Sequence, residues 1–404
     1  MPEVFRGSFT QQEPIPEDGI AAALAVLQHG RLHRYNVASG EVSETALLEE
    51  EFAALTGAKY CLAVASGGYA MATALRALGV GPGDRVLSNA FTLAPVPGAI
   101  ASLGAVPAFV DVADDLTIDL DDLARKVGQA KVLLLSHMRG HICDMDRLMA
   151  ICDAAGVQVV EDCAHTMGAR WKGVASGRHG VMGCYSAQTY KHVNSGEGGF
   201  VVTDDAVLAA KSVLLSGSYM LYARHRAAPG PEVFEGLKLT TPNISGRMDN
   251  LRAAILRPQL RLLEERRLRW RSLYLAMEAG LGGVPGVRLT LRPAHEEYVG
   301  SSFQFLLPQR DAGWVMGFVA GCAARGVELK WFGADQPVAF TSRYDHWAYA
   351  SPDRLPQTDR VLAGLIDMRL PLTFSVEDVA LIGRIIAEEA VANHAPVGAV
   401  LGAE

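Results

Sequence analysis

Three short segments, far apart in the chain, carry residues able to do covalent or acid–base chemistry. Lys191 lies in GCYSAQTYKHVNSGEGGFVVT (183–203), between two apolar runs and ahead of Gly196-Glu197-Gly198-Gly199. An amine held in such a turn can serve as nucleophile and proton carrier, although most lysines only solvate the surface. Asp162, in VVEDCAHTMGA (159–169), directly follows an apolar run. It falls where a parallel strand would end and ligand groups converge; a strand-end acid also serves as an ordinary turn cap. Ser66-Gly67-Gly68, in VASGGYAMATAL (64–75), joins an apolar run to a helical pattern. Helix-start N–H groups attract anions and glycines permit close approach, yet a tight turn needs the same residues. The segment is neither G-x-G-x-x-G nor a Walker loop.

The elements that must position these residues alternate. Strands are expected at 60–65, 85–89, 106–112, 130–136, 158–161, 181–186 and 199–203, separated by helical segments such as 145–155, whose Leu148, Met149, Ile151 and Cys152 share a face ahead of Gly156. That alternation predicts an α/β fold, a three-layer, mostly parallel seven-stranded sheet. From 249 to about 280 the period is helical, with Ala253, Leu256, Leu260 and Leu263 in one stripe and a kink expected at Pro258. Its Arg257, Arg261, Arg266, Arg267, Arg269 and Arg271, interleaved with Glu264 and Glu265, read as a solvated face. Strands near 287–291 and 301–307 and helices near 312–325 and 376–393 form a smaller α+β domain. The expected division is an N-terminal segment 1–17, a large domain 18–250, and an interdomain helix with the small domain, 251–404.

Composition narrows the partners. With 404 residues, 50 % apolar and 20 % charged, the chain is globular, and a net charge of −7 offers no basic field for nucleic acid or an anionic membrane. The N-terminus lacks a continuous apolar core, and Pro95, Pro97 and Pro107 interrupt the most apolar region, so a soluble cytoplasmic protein is expected. Six scattered cysteines with no C-x-x-C pair indicate buried thiols and no metal site.

An anion cradle, a strand-end carboxylate and a loop lysine match what pyridoxal 5′-phosphate requires: phosphate anchor, pyridine-nitrogen partner and Schiff-base amine. Here the sequence resembles fold-type-I enzymes of the aspartate aminotransferase superfamily, and within them the DegT/StrS-type sugar aminotransferases. EDCAHTMGA (161–169) and SAQTYKHVNSGEGG (186–199) carry the resemblance, with LRALGVGPGDRV (75–86), LGAVPAFVDV (103–112) and GRMDNLRAAIL (246–256). It implies Lys191 as the Schiff-base lysine and proton shuttle, Asp162 as partner of the pyridine nitrogen, and His165 beside the cofactor. Ser186, with Ser66, Gly67 and Gly68, would bind the phosphate. The stacking position falls on Leu93, with Phe91 the nearest aromatic, and either is open. The resemblance also implies a homodimer with shared active sites, in which Asn243 or Ser245 of TPNISGRMDN (241–250) crosses to the neighbour.

The implied reaction is transfer of an amino group from glutamate or glutamine to a carbonyl acceptor, such as a keto sugar or sugar-like intermediate of secondary metabolism. The alternatives are a dehydratase or lyase on the same scaffold, an aminotransferase for a non-sugar oxo compound, or a non-catalytic protein. Related sugar dehydratases have His in place of the lysine, so Lys191 followed by His192 favours transamination. Segments 30–41 and 329–337 are candidate substrate contacts.

Overall fold

A computed structural model describes residues 2–392. Seven strands form the central sheet: β1 (Tyr60–Val64), β2 (Arg85–Asn89), β3 (Val106–Val110), β4 (Val132–Ser136), β5 (Gln158–Asp162), β8 (Met182–Ser186) and β9 (Gly199–Thr203). Between β5 and β8 lies a small hairpin, β6 (Arg170–Trp171) and β7 (Val174–Ala175). The sheet order is β1-β9-β8-β5-β4-β2-β3; β9 runs antiparallel to both neighbours, and the other pairs are parallel. Strands buried on both faces need continuous apolar runs. In β4, Val132 and Leu134 pack toward one helical layer and Leu133 and Leu135 toward the other.

Helix Met145–Ala155 starts where Asp144 Oδ1 accepts from the Arg147 N–H at 3.1 Å and stops at Gly156, which takes φ 66°. The long helical region is two helices, Asn250–Arg261 and Leu263–Leu281. Pro258 sits inside the first, and the break comes at Leu262, whose N–H reaches only three residues back to Gln259 O. Its arginines are largely paired rather than solvated: Arg257 bridges Glu44 and Glu51, and Arg266 and Arg267 are buried.

The C-terminal part contains a four-stranded antiparallel sheet, ordered β10 (Arg288–Leu289), β12 (Ser302–Leu306), β14 (Leu365–Arg369) and β13 (Lys330–Trp331). Its last helix is Val376–Val391; the expected end at Asn393 lies outside the described residues. A short strand, β11 (Glu296–Glu297), leaves this part to pair with β6, forming a separate three-stranded sheet with the hairpin that lies between β5 and β8. The N-terminal segment is held from the same side: Phe5 and Phe9 each stack edge-on against Phe374 at 5.0 Å, and Glu3 pairs with Arg384 at 3.0 Å. All six cysteines are buried and free. Among the described residues no helix is long and apolar enough to cross a membrane.

Candidate active site

The chemistry-bearing residues converge because β4, β5 and β8 end in register. Ser136 stands opposite Asp162, and Asp162 opposite Cys184. Asn89 at the end of β2 braces this edge: its Oδ1 accepts from the Ser136 N–H at 2.9 Å and its Nδ2 donates to Ser136 O at 3.1 Å. The Ser136 hydroxyl donates to Asp162 Oδ2 at 3.0 Å, and the Ala164 N–H donates to Oδ1 at 3.1 Å. Burial raises the Asp162 carboxyl above its ordinary range despite these donors and the nearby Lys191.

Lys191 projects from the β8–β9 turn. That turn is fixed by Ala187 N–H to Gly198 O at 2.9 Å and Lys191 N–H to Gln188 O at 2.8 Å. Lys191 Nζ lies 3.1 Å from His165 Nε2. Its amine is lowered to about 7, chiefly by burial and then by Arg139, against an opposing pull from Asp162. His165 is held well below its usual value by burial and by Lys191, so its imidazole is neutral. The adjacent His192 faces away, with Nε2 3.1 Å from Ser301 Oγ and its ring edge-on to Trp270.

The third element is the start of helix Gly67–Ala77. Ser66 Oγ accepts from the Tyr69 N–H at 3.1 Å, capping the helix. A Cβ at Gly67 would lie 2.9 Å from Ser186 Cβ, and one at Gly199 would lie 2.5 Å from the Ser66 carbonyl. Only glycine lets the helix start, Ser186 and β9 meet this closely.

These pieces surround one cavity of about 650 Å³, on whose wall Ser66, Gly67, Gly68, Leu93, Asp162, His165, Ser186 and Lys191 all stand. Phe91 is elsewhere, buried with its ring edge-on to Phe332 at 5.2 Å, so of the two stacking candidates only Leu93 reaches the cavity. Asn243 and Ser245 are exposed and off this wall; Asn243 Oδ1 accepts from the Ser245 N–H at 2.9 Å. Segments 30–41 and 329–337 do not line the cavity either, although Ala339, Phe340 and Ser342 do.

Sequence reasoning missed two cations on the same wall, Arg139 and Arg369. Arg139 occupies the left-handed region at φ 56°, and Arg369 ends β14. The sequence around Arg139, HMRGH, has no periodicity to mark it; the one signal was its place just after β4, among the strand ends where ligands gather. Nearby, His137, Glu161 and Cys163 offer ligand atoms within 4.8 Å of one another. Glu161 is already engaged by His137 at 2.9 Å and by the N–H groups of Gly177, His179 and Gly180.

Residues 15–387 match the DegT/DnrJ/EryC1/StrS aminotransferase family. The chain is 33 % identical over 279 residues to the L-glutamine:2-deoxy-scyllo-inosose aminotransferase of Streptomyces fradiae, covering 68 % of this chain and 65 % of that protein. It is 32 % identical over 245 residues to the spore coat polysaccharide biosynthesis protein SpsC of Bacillus subtilis, covering 59 % of this chain and 62 % of the relative. The match thus spans less than two thirds of either relative's length. Among solved structures, 3-amino-5-hydroxybenzoic acid synthase superposes with a TM-score of 0.81 at 25 % identity, covering 96 % of this chain and 99 % of that one. The aminotransferase TlmJ of Streptoalloteichus hindustanus gives 0.79 at 25 % identity, covering 96 % and 98 %.

Proposed function

Because the chain belongs to the DegT/DnrJ/EryC1/StrS aminotransferase family, we propose that it moves an amino group from glutamate or glutamine to a carbonyl acceptor of the keto-sugar or sugar-like class, with pyridoxal 5′-phosphate as cofactor. The observation that carries this reading is a buried amine lowered to about 7, on one cavity wall with a buried carboxylate and an anion cradle.

The residues fit that cofactor. Ser66 to Gly68 and Ser186 form a cup that a single Cβ at Gly67 would obstruct, suited to phosphate at a helix start. Asp162, its carboxylate oriented by Ser136 and Ala164, is the partner for a protonated ring nitrogen, and that cation would draw its raised value back down. Lys191 is the amine for the aldehyde, and Leu93 supplies apolar contact in place of a stacking aromatic. When bound, the cofactor supplies an electron sink that stabilises negative charge at the donor's α-carbon.

Lys191 is nucleophilic because burial and Arg139 favour its neutral form near pH 7. Once released, its Nζ takes the proton from the donor's α-carbon and later delivers one to the acceptor's carbon. His165, neutral and 3.1 Å away, steadies Nζ without adding positive charge. Overall, donor amine and acceptor carbonyl exchange places through water, and no external oxidant is needed.

The relatives whose names describe amino transfer to cyclitol or sugar ketones support the acceptor class. Asn243 and Ser245, exposed and off their own cavity, support a homodimer in which one of them reaches the neighbour's phosphate cup. The test is single turnover with the donor alone. The expected result is one equivalent of oxo acid and of pyridoxamine phosphate per site, with borohydride tagging Lys191 in the resting enzyme. Tagging elsewhere, or continuous lyase turnover without an acceptor, would overturn the reading.

A further inference from the structure

The cavity carries more positive charge than cofactor and amine chemistry require. Arg139 and Arg369 both stand on its wall, their guanidiniums 4.6 and 5.3 Å from the ring centre of Phe340. Arg369 also lies over Tyr190, the residue before Lys191, at 3.8 Å. The acids nearby compensate only part of this charge. Asp162 is engaged by Ser136 and Ala164, and Glu197 is an exposed wall residue. Asp367 forms a buried ion pair with Arg139 Nη2 at 2.8 Å, without hydrogen-bond geometry, and its other oxygen accepts from Gln304 Nε2 at 2.7 Å, so one carboxylate faces two guanidiniums.

Arg139 is 6 % exposed, and its Nε has no hydrogen-bond partner. Among the described residues, no carboxylate pairs with Arg369. A buried guanidinium donor left without a hydrogen-bond partner, such as Arg139 Nε, costs more than a typical hydrogen bond contributes. Both rings hold the guanidinium planes in place, so the donors are set before any ligand arrives.

Building on the aminotransferase reading, we propose that Arg139 and Arg369 form an anion subsite for a carboxylate close to the reacting carbonyl, so that the keto-sugar or sugar-like acceptor carries a carboxylate of its own. Donor and acceptor use the cavity in turn. A donor carboxylate satisfies the arginines in the first half-reaction, and a neutral ketone in the second would leave Arg369 without a carboxylate and Arg139 with Asp367 alone. An acceptor carrying its own carboxylate keeps them satisfied in both. The planar fork of arginine matches a carboxylate in two-point contact, which lysine does not.

The experiment uses holoenzyme converted by glutamate to the amino form, with each half-reaction timed by stopped-flow absorbance. Unreactive probes, succinate, succinamide and inorganic pyrophosphate, are titrated by calorimetry. Succinate should bind at least about tenfold more tightly than succinamide, the size of one charge-assisted contact. Pyruvate and 2-oxoglutarate should outpace their methyl esters as acceptors. Arg139→Gln and Arg369→Gln should erase both preferences and slow both half-reactions, and Arg139→Lys should restore them only in part. Equal binding of acid and amide by the unaltered enzyme refutes the subsite, whatever the variants do. Competition by pyrophosphate alone assigns the arginines to a diphosphate and overturns the proposal. Slowing of the donor half only shows that the acceptor lacks the carboxylate. No donor half-reaction at all would instead refute the function on which the proposal rests.

Discussion

The Lys191 amine offers the most direct test of the site, because its titration can be read without cofactor or substrate. An exposed lysine titrates near 10.5, and Lys191 is lowered to about 7. The difference corresponds to about 5 kcal/mol favouring the neutral amine in the folded state. At pH 8 an ordinary lysine is about 0.3 % neutral and Lys191 about 90 %, roughly a 300-fold gain in nucleophile. Trace acetylation of cofactor-free enzyme with acetic anhydride, followed by peptide mass spectrometry, reports that midpoint for each lysine. Lys191 should label with a midpoint near 7. The neighbouring charges fix the signs of two perturbations: Arg139→Gln removes a cation and should raise the midpoint, and Asp162→Asn removes an anion and should lower it. A midpoint within a unit of the ordinary lysine value, or shifts of the wrong sign in both variants, would refute the electrostatic argument.

Acid should destabilise the fold through the buried cluster of Arg34, Glu49, His225 and Tyr35. Burial disfavours the Glu49 carboxylate, but Arg34 and His225 outweigh it and hold it at about 2, so on the order of 3 kcal/mol is present above pH 4.5 and is lost as pH falls toward 2. His225 is lowered mainly by burial, so its protonation on unfolding adds acid sensitivity below about pH 6.5. Denaturant melts across pH 3 to 7 should show a steep acid limb that Glu49→Gln flattens; an unchanged limb would remove Glu49 as its cause. For the proposed homodimer, mixing Lys191→Ala with an Asn243→Ala/Ser245→Ala variant should restore up to one working site per heterodimer. No recovery from folded, well-exchanged subunits would mean that the segment serves its own chain or none.

Much of this architecture was legible because both-sided burial demands apolar runs, and such runs end where the backbone must turn. Strands 85–89 and 199–203 were read to the residue, and the other five large-sheet strands agree within two residues. What pattern cannot show is pairing across long separations. LIDMR in β14 reads as an indifferent segment until Asp367 meets Arg139 and Gln304, residues from two distant parts of the chain. Arg139 was invisible for the same reason: a single arginine after a strand becomes chemical only when the tertiary fold buries it beside Lys191. The choice between Phe91 and Leu93 depended on which side chain the chain turns inward after β2, a matter of a few dihedrals that spacing does not encode.

The clasp between the two ends of the chain has a temporal side. Glu3 and Arg384 are separated by 381 positions, and Phe5 and Phe9 find their partner ring at Phe374. At synthesis rates of about 5–20 residues per second, the segment bearing Phe5 and Phe9 waits roughly 20–75 s before its docking surface exists. During that interval two phenylalanines stand unsheltered while the large sheet, whose strands end at Thr203, has long been complete. A stretch made late thus captures one made far earlier, and a nascent chain stalled short of Phe374 would leave Phe5 and Phe9 open to chaperones and to neighbours on the polysome.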